Sequence, residues 1–291
     1  MSMDAVHESE IDSQSRGVAS QLVVIPIDNI TPYERNPRHS PNPARDRIKD
    51  SIRAHGLDYA LAVTQPPGTT HYVLSAGGGT RLEVLRELFA ETHDPRFGRV
   101  PCVLTPWPGE AEILLAYVRE NDLRGELSFI DKARAVMACK ELLEAEQGEP
   151  LSQQALSAAL MRRGYGLSQA MISHMVYAVE RLLPVIPVAL EHGIGKPQVQ
   201  RIRHLDGAAA RLWAACGLET ELPYDDAFLT LCRRYDGPDW SFDDLEEAVA
   251  VEIAEGADRS IQAVRLTAIT LSNDVKPLFE HLRNASKAID Q

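Results

Sequence analysis

Two clusters of side chains in this 291-residue chain have the types and spacing to hold a polyanion. The first is Ser75-Ala76-Gly77-Gly78-Gly79-Thr80-Arg81-Leu82. Three successive glycines let a backbone approach an anion closely, and a helix starting just after them would offer free N–H groups and the positive end of its dipole. Thr80 could cap that helix or bond a phosphate oxygen, and Arg81 could pair bidentately with one. A plain turn with a solvated Arg81 satisfies the same letters. No Gly-Lys-Ser/Thr follows, so this is no Walker A loop, and the dinucleotide spacing is absent too. The second cluster is Arg119-Glu120-Asn121-Asp122-Leu123-Arg124. By spacing alone, Glu120 and Arg124 form an i, i+4 ion pair. The chemical alternative makes Glu120 and Asn121 hard oxygen ligands of Mg²⁺, with Arg124 on a phosphate.

A third group points to nucleic acid. Ser152-Gln153-Gln154-Ala155 opens a helix expected to bury Ala155, Leu156, Ala159 and Leu160. Gly164-Tyr165-Gly166-Leu167 is a turn, and Ser168-Gln169-Ala170-Met171 begins a second helix running to Leu183. Helix, short glycine-containing turn and serine-capped helix is the pattern of a DNA reader, although an ordinary helical hairpin shares it. In the DNA reading, Ser168, Gln169, Ser173 and His174 face base edges, and Arg162 and Arg163 rest on phosphates. After Gly193-Ile194-Gly195, a further helix would bring Lys196, Gln198, Arg201 and Arg203 to the backbone.

These groups need elements to position them. Leu22–Ile27 is a short β-branched run, followed by an irregular stretch through Asn36-Pro37-Arg38 and Pro41-Asn42-Pro43. Residues 44–55 read as a helix closed by Gly56. Residues 61–64 and 71–74 read as strands around Pro66-Pro67-Gly68. Residues 80–89 form a helix with Leu82, Leu85, Leu88 and Phe89 on one face, and residues 99–105 form a strand. From Gly109 the chain turns helical: Ile113, Leu114 and Tyr117 line one helix, and Ser128 caps a long one through Glu146.

Composition bounds the partners. The net charge is −12, which weighs against a wholly basic nucleic-acid glove. Yet residues 152–211 carry seven basic side chains against three acidic ones, a basic island in an acidic chain, whereas 212–291 is strongly acidic. Residues 1–20 are polar and mixed in charge, expected to be a loose arm rather than a signal peptide. No apolar run is long enough to span a membrane. Cys102, Cys139, Cys216 and Cys232 lie far apart without metal-ligand spacing, as expected of reduced thiols in a cytoplasmic protein.

The order of these pieces resembles the ParB family of DNA-partition proteins over roughly residues 21–205. It comprises a short strand, Asn36-Pro37-Arg38, a helix ending at His55-Gly56, Gly78 to Arg81, the Glu120-Asn121-x-x-Arg124 element and a helix-turn-helix. The resemblance implies an N-terminal domain that binds CTP with Mg²⁺, a homodimer that closes on double-stranded DNA, and a ParA-like partner ATPase. It also implies that Gly77, Gly78, Gly79, Thr80 and Arg81 cradle the triphosphate, Glu120 and Asn121 hold Mg²⁺, and Arg124 and Arg38 meet phosphates or close the lid. Asn36 stands where the family commonly has a Gln that positions water. One methylene shorter, it implies slow CTP hydrolysis at most. The usual Gly-Glu-Arg-Arg is here Gly78-Gly79-Thr80-Arg81. The related sulfiredoxin fold would place a Cys in this loop, and none is there.

The expected fold class is α+β: an arm (1–20), a small ParB/sulfiredoxin-like α/β nucleotide domain (21–126), a helix-turn-helix domain (127–211) and an acidic helical C-terminal segment (212–291). In that last segment, Trp213, Leu218, Phe228, Leu229 and Leu231 are expected to pack. The expected function is CTP-regulated, site-specific DNA binding in partition of a plasmid, chromosome or mobile element. The alternatives are a nucleotide-independent transcription regulator and a metal-dependent nuclease using Glu120. Arg16 in the arm would touch a partner ATPase, or simply be solvated.

Overall fold

The structure, a computed structural model, describes residues 20–38, 42–125, 127–220 and 222–264. The arm with Arg16, Pro41, and residues 265–291 of the C-terminal segment lie outside the described residues. The architecture is α+β, and the chain divides into two compact units, 1–120 and 121–291.

The first unit is built on a five-stranded mixed sheet of β1 (Gln21–Pro26), β2 (Ile30–Thr31), β3 (Leu61–Thr64), β4 (Tyr72–Leu74) and β5 (Arg99–Thr105). The strand order is β1-β5-β3-β4-β2. β1 runs antiparallel to β5, β5 parallel to β3, β3 antiparallel to β4, and β4 parallel to β2. One face of the sheet buries Ile25, Leu61, Val63, Leu74, Val100 and Cys102. Into the same core go Leu82, Leu85 and Leu88 of α2 (Gly79–Thr92), Phe97 of the short α3 (Pro95–Gly98), and Ile113, Leu114 and Tyr117 of α4 (Glu110–Leu123). α1 (Arg45–His55) lies on α2 through a ladder of charge: Arg45 and Lys49 pair with Glu87, Lys49 also reaches Glu91 at 2.7 Å, and Arg53 does so at 3.3 Å.

The second unit is helical: α5 (Phe129–Gln147), α6 (Gln153–Arg162), α7 (Gln169–Tyr177), α8 (Pro187–Glu191), α9 (Lys196–Ala215), α10 (Tyr224–Arg234) and α11 (Phe242–Gly256). Serines start the first three as the sequence leads one to expect. The hydroxyls of Ser128, Ser152 and Ser168 accept from the N–H three residues on, at 3.2, 3.1 and 3.2 Å. Past Tyr177 the helix widens into a π turn over Ala178–Leu182, closed by Leu183 N–H to Ala178 O at 2.8 Å, just before Pro184.

Several expectations differ from what is observed. Ala155 is exposed, because it sits in the first turn of α6 on the side away from Leu156 and Ala159. Leu229 is only half-buried, whereas Trp213, Leu218, Phe228 and Leu231 are in the core. The division between units falls inside α4 at residue 120, not at 126. A boundary at 211 would cut α9, whose apolar face continues through Leu212 and Trp213. All four cysteines are free thiols, and burial pushes those of Cys102 and Cys232 up to about 11 and about 12. Among the described residues no helix is long and apolar enough to cross a membrane.

Candidate nucleotide site and nucleic-acid face

In the first unit, β4 ends at Leu74, and Ser75 N–H prolongs the ladder to Ala62 O at 3.0 Å. The chain then turns through Gly77 (φ 53°) and Gly78 (φ 87°), both left-handed, before α2 starts at Gly79. The first helical bond is Leu82 N–H to Gly78 O at 2.9 Å, which leaves the N–H groups of Gly79, Thr80 and Arg81 ahead of the helical ladder. No side chain caps this end, and the first turn of α2 holds no acid, so no charge from the helix's own first turn offsets its positive dipole.

The loop's three glycines are not equivalent. A Cβ on Gly77 would stand 2.5 Å from Glu120 Oε1 and 2.8 Å from its carboxyl carbon. The carboxylate thus occupies the space a side chain would need. A Cβ on Gly78 would come within 3.3 Å of Leu61 and 3.4 Å of the Arg81 guanidinium, whereas one on Gly79 would meet nothing within 4 Å. Arg81 folds back over Gly78 and donates from Nη1 to Tyr59 O at 3.4 Å.

Glu120 is brought here by α4, and two tyrosines set that helix. Tyr117, one turn before Glu120, donates its hydroxyl to Leu74 O at 3.2 Å, fixing α4 to the residue from which the loop departs. Tyr33 stacks on Tyr117 with ring centroids 5.0 Å apart and donates to Glu110 Oε1 at 2.9 Å, at the start of the same helix. Burial pushes both phenols well above their ordinary range. The Glu110 bond adds to this for Tyr33, and the Glu120 charge for Tyr117, so both remain protonated donors. Sequence reading took Tyr117 as an inward-facing residue and did not single out Tyr33. An aromatic buried together with its hydroxyl, one turn before an acid, was the available signal.

The Asn36 segment reaches the same neighbourhood through its distal end. Asn42 Nδ2 donates to Thr80 Oγ1 at 3.5 Å. Asn36 Oδ1 accepts from Arg38 N–H at 3.1 Å, an Asx turn, and Asn36 N–H donates to Tyr33 O at 3.3 Å. Arg38 is half-buried. Asn121 and Arg124 belong to the second unit. Asn121 is buried, and Arg124 lies past the end of α4 in a turn with Gly125 (φ 69°). Asp122, the remaining acid of that cluster, pairs with Lys132 and accepts from Tyr165 Oη at 3.0 Å.

These groups can do two things together. The α2 N-terminus and Arg81 favour an anion, while Glu120 a few ångströms away favours a cation. A phosphate carrying a divalent metal satisfies both. Among the described residues no group of three or more His, Cys, Asp or Glu could hold a metal ion, so a cation beside Glu120 would draw most of its oxygens from phosphate and water, as Mg²⁺ commonly does.

In the second unit, Arg162, Ser168, Gln169 and Lys196 are exposed around the α6–α7 pair and the start of α9. Other residues expected on DNA are engaged within the protein. Arg203 Nη1 donates to Ser173 Oγ at 2.8 Å and Ser173 O at 3.3 Å, and its guanidinium lies 5.6 Å from the Tyr177 ring, so both Arg203 and Ser173 brace α7 against α9. The Arg201 guanidinium sits 3.8 Å over the Phe242 ring and 3.5 Å from Asp243, tied to α11. Arg163 bonds back to Ala159 O at 3.3 Å, and Gln198 Oε1 accepts from Gly195 N–H at 3.2 Å as a cap. The His174 ring is half-buried, and burial, then the charges of Arg203, Lys196 and His204, hold its pKa below the ordinary histidine value. Those three neighbours mark a locally positive surface.

Asp206 anchors this unit. It is 8% exposed and receives Arg181 Nε at 2.6 Å, Arg181 Nη2 at 3.0 Å, Tyr177 Oη at 2.8 Å and Tyr224 Oη at 2.9 Å. One carboxylate thereby joins α7, its π turn, α9 and α10.

No family model and no curated protein matches the sequence. Solved structures do. A pNOB8-like ParB N-domain superposes with a TM-score of 0.51 at 16% identity, covering 84% of this chain and 99% of that one. A second crystal form of a Pnob8-like ParB-N domain gives 0.51 at 14% identity, covering 81% and 96%. The C-terminally truncated chromosome-partitioning protein ParB from Caulobacter crescentus, complexed with CTP-γ-S, gives 0.30 at 17% identity over 59% and 84%. The first two show that this chain has the ParB N-domain fold.

Proposed function

We propose that this chain, built on the ParB N-domain fold, is a CTP-regulated DNA-binding protein of the partition type. The observation that carries the nucleotide part is the Glu120 carboxylate seated against Gly77, beside an uncapped helix N-terminus and Arg81. The loop backbone and Arg81 would bind the phosphates, and Glu120 would hold a Mg²⁺ ion beside them. Magnesium supplies charge neutralisation along the triphosphate. Asn121, Arg124 and Arg38 join this reading through motif order. With its side-chain oxygen in the Asx turn, Asn36 supports nucleotide binding with little hydrolysis. The choice of CTP rests on the resemblance in motif order.

The DNA part rests on the serine-capped α6–α7 pair. Arg162 and Lys196 reach phosphates, while Ser168 and Gln169 reach base edges. The pair works as a homodimer, and a ParA-like ATPase is its partner. Nucleotide and DNA are coupled if both favour one closed state, and each then raises affinity for the other by the same factor. DNA affinity measured with and without CTP and Mg²⁺ tests this. A shift seen with CTP and abolished by Arg81→Ala is expected. An unchanged affinity means a DNA binder that ignores nucleotide.

A further inference from the structure

The first strand is an edge, and its chemistry is unusual for one. β1 pairs with β5 on one side and stands at the end of the strand order. Directly opposed residues in an antiparallel pair alternate between exchanging hydrogen bonds and not. Val24 lies opposite Pro101, and Pro26 lies opposite Arg99. Neither proline has an N–H, so these are the non-bonded positions, and Val23 opposite Cys102 is a bonded one. The main-chain N–H and C=O of Leu22 and Val24 therefore point away from β5, out of the sheet.

The same two residues leave their side chains in solvent: Leu22 is 75% exposed and Val24 57%. Pro101 and Val103, opposite them on β5, share that sheet face and are exposed and half-buried. No residue from Gln21 to Pro26 is charged. Natural edges are normally blunted by charge, by a bulge or by extreme shortness. β2, at the other edge, has only two residues, whereas β1 has six.

We infer that β1 is a self-association edge at which a second copy of this chain adds its own β1 antiparallel, making one sheet continuous across two protomers. A two-fold axis at Val23 sets Leu22 of one copy against Val24 of the other, and the reverse. Both pairs exchange hydrogen bonds without requiring a donor from Pro26. The strand is thus complementary to itself, with Leu and Val side by side on the outer face. A chain of net charge −12 repels itself over most of its surface, and this uncharged strip lets two copies meet without facing like charges. The contact does not depend on nucleotide or DNA, so it goes beyond the function proposed above.

Sedimentation of the full chain, free of nucleotide and DNA, tests it. The wild type is expected at twice the monomer mass at micromolar concentration. Dissociation should become several-fold weaker between about 0.05 M and about 0.5 M salt as like-charge repulsion is screened. Val24→Pro removes an outward N–H and leaves the β1–β5 ladder intact, just as Pro26 already does two residues on. Leu22→Lys sets like charges on both sides of the axis. Each variant should run as a monomer while keeping the wild-type circular dichroism and melting temperature. A monomeric wild type, an association weakened by salt, or variants that keep the doubled mass would each overturn the inference.

Discussion

The carboxylate of Glu120 fills the space that a side chain on Gly77 would require, although 43 residues separate them in sequence. This places a negative group at the rim of a loop whose helix end attracts anions, an arrangement that makes sense when a cation sits between the two. The Tyr117 bond to Leu74 O holds the pair together from below, and the Tyr33 stack braces Tyr117. The glycines therefore separate by function. Gly77→Ala, strained at φ 53° and in collision with Glu120, should lower stability by about 1–2 kcal/mol and weaken nucleotide binding at least about tenfold. Gly79→Ala, at the first helical position with open space around it, should be neutral or stabilising by up to about 1 kcal/mol. Chemical denaturation with nucleotide titration reads both, and equal effects at the two positions would contradict the geometry.

Arginines in the second unit should divide the same way. Arg203→Ala loses the Ser173 bonds and the Tyr177 ring contact, so it should cost about 1–2 kcal/mol of stability. It should weaken DNA binding without changing the salt slope, because it positions α7 rather than neutralising phosphate. Arg162→Ala should leave stability alone and lower the magnitude of the log–log salt slope by about 0.9. Anisotropy across a salt series distinguishes them.

Much of this fold was legible from local pattern. β5 spans the expected residues 99–105, and Ser128, Ser152 and Ser168 are the caps their spacing announced, because a cap is chemistry confined to four residues. The triglycine loop was legible as letters, but its asymmetry was not. Nothing near Gly77 in sequence says that Glu120 will press on it while Gly79 stays open. Arg201 and Arg203 read as phosphate contacts because charge and helix face were right. Their partners Phe242, Asp243 and Ser173 come from other elements, and a single sequence carries no distance between them. The Asp206 junction was missed for the same reason: Tyr177, Arg181 and Tyr224 lie up to 29 residues away from it.

That junction should be the most sensitive point of the helical unit. Asp206→Ala leaves Arg181 with an exposed partner, Asp225 at 2.8 Å, strips the Tyr177 hydroxyl of its acceptor, and leaves Tyr224 only the main-chain O of residue 206 at 2.9 Å. Loss of about 3–5 kcal/mol is expected, as for a buried ion pair broken from one side. Asp206→Asn should recover part of it through the hydroxyl bonds. Thermal melts of the two variants are the check.

Glu246 gives the unit a pH dependence. It is 2% exposed on α11. Burial pushes its carboxyl up to about 7 from 4.5, with the Arg201 charge opposing and the Asp243 charge adding. Between those values the folded state binds more protons than the unfolded chain, so this group's contribution is fully present below about 4.5 and is lost as pH rises through about 7. The loss is of order 3 kcal/mol. Glu246→Gln should flatten that limb and be at least as stable as wild type at pH 8, as denaturant midpoints across pH will show.

Calorimetric titration of the full chain with CTP and Mg²⁺, alongside the other nucleoside triphosphates, tests the central claim most directly. Metal-dependent binding that prefers CTP is expected, lost by at least about tenfold in Arg81→Ala and in Glu120→Gln, with both variants folded. Absence of binding in the wild type, or binding indifferent to Glu120 and to magnesium, would contradict the account.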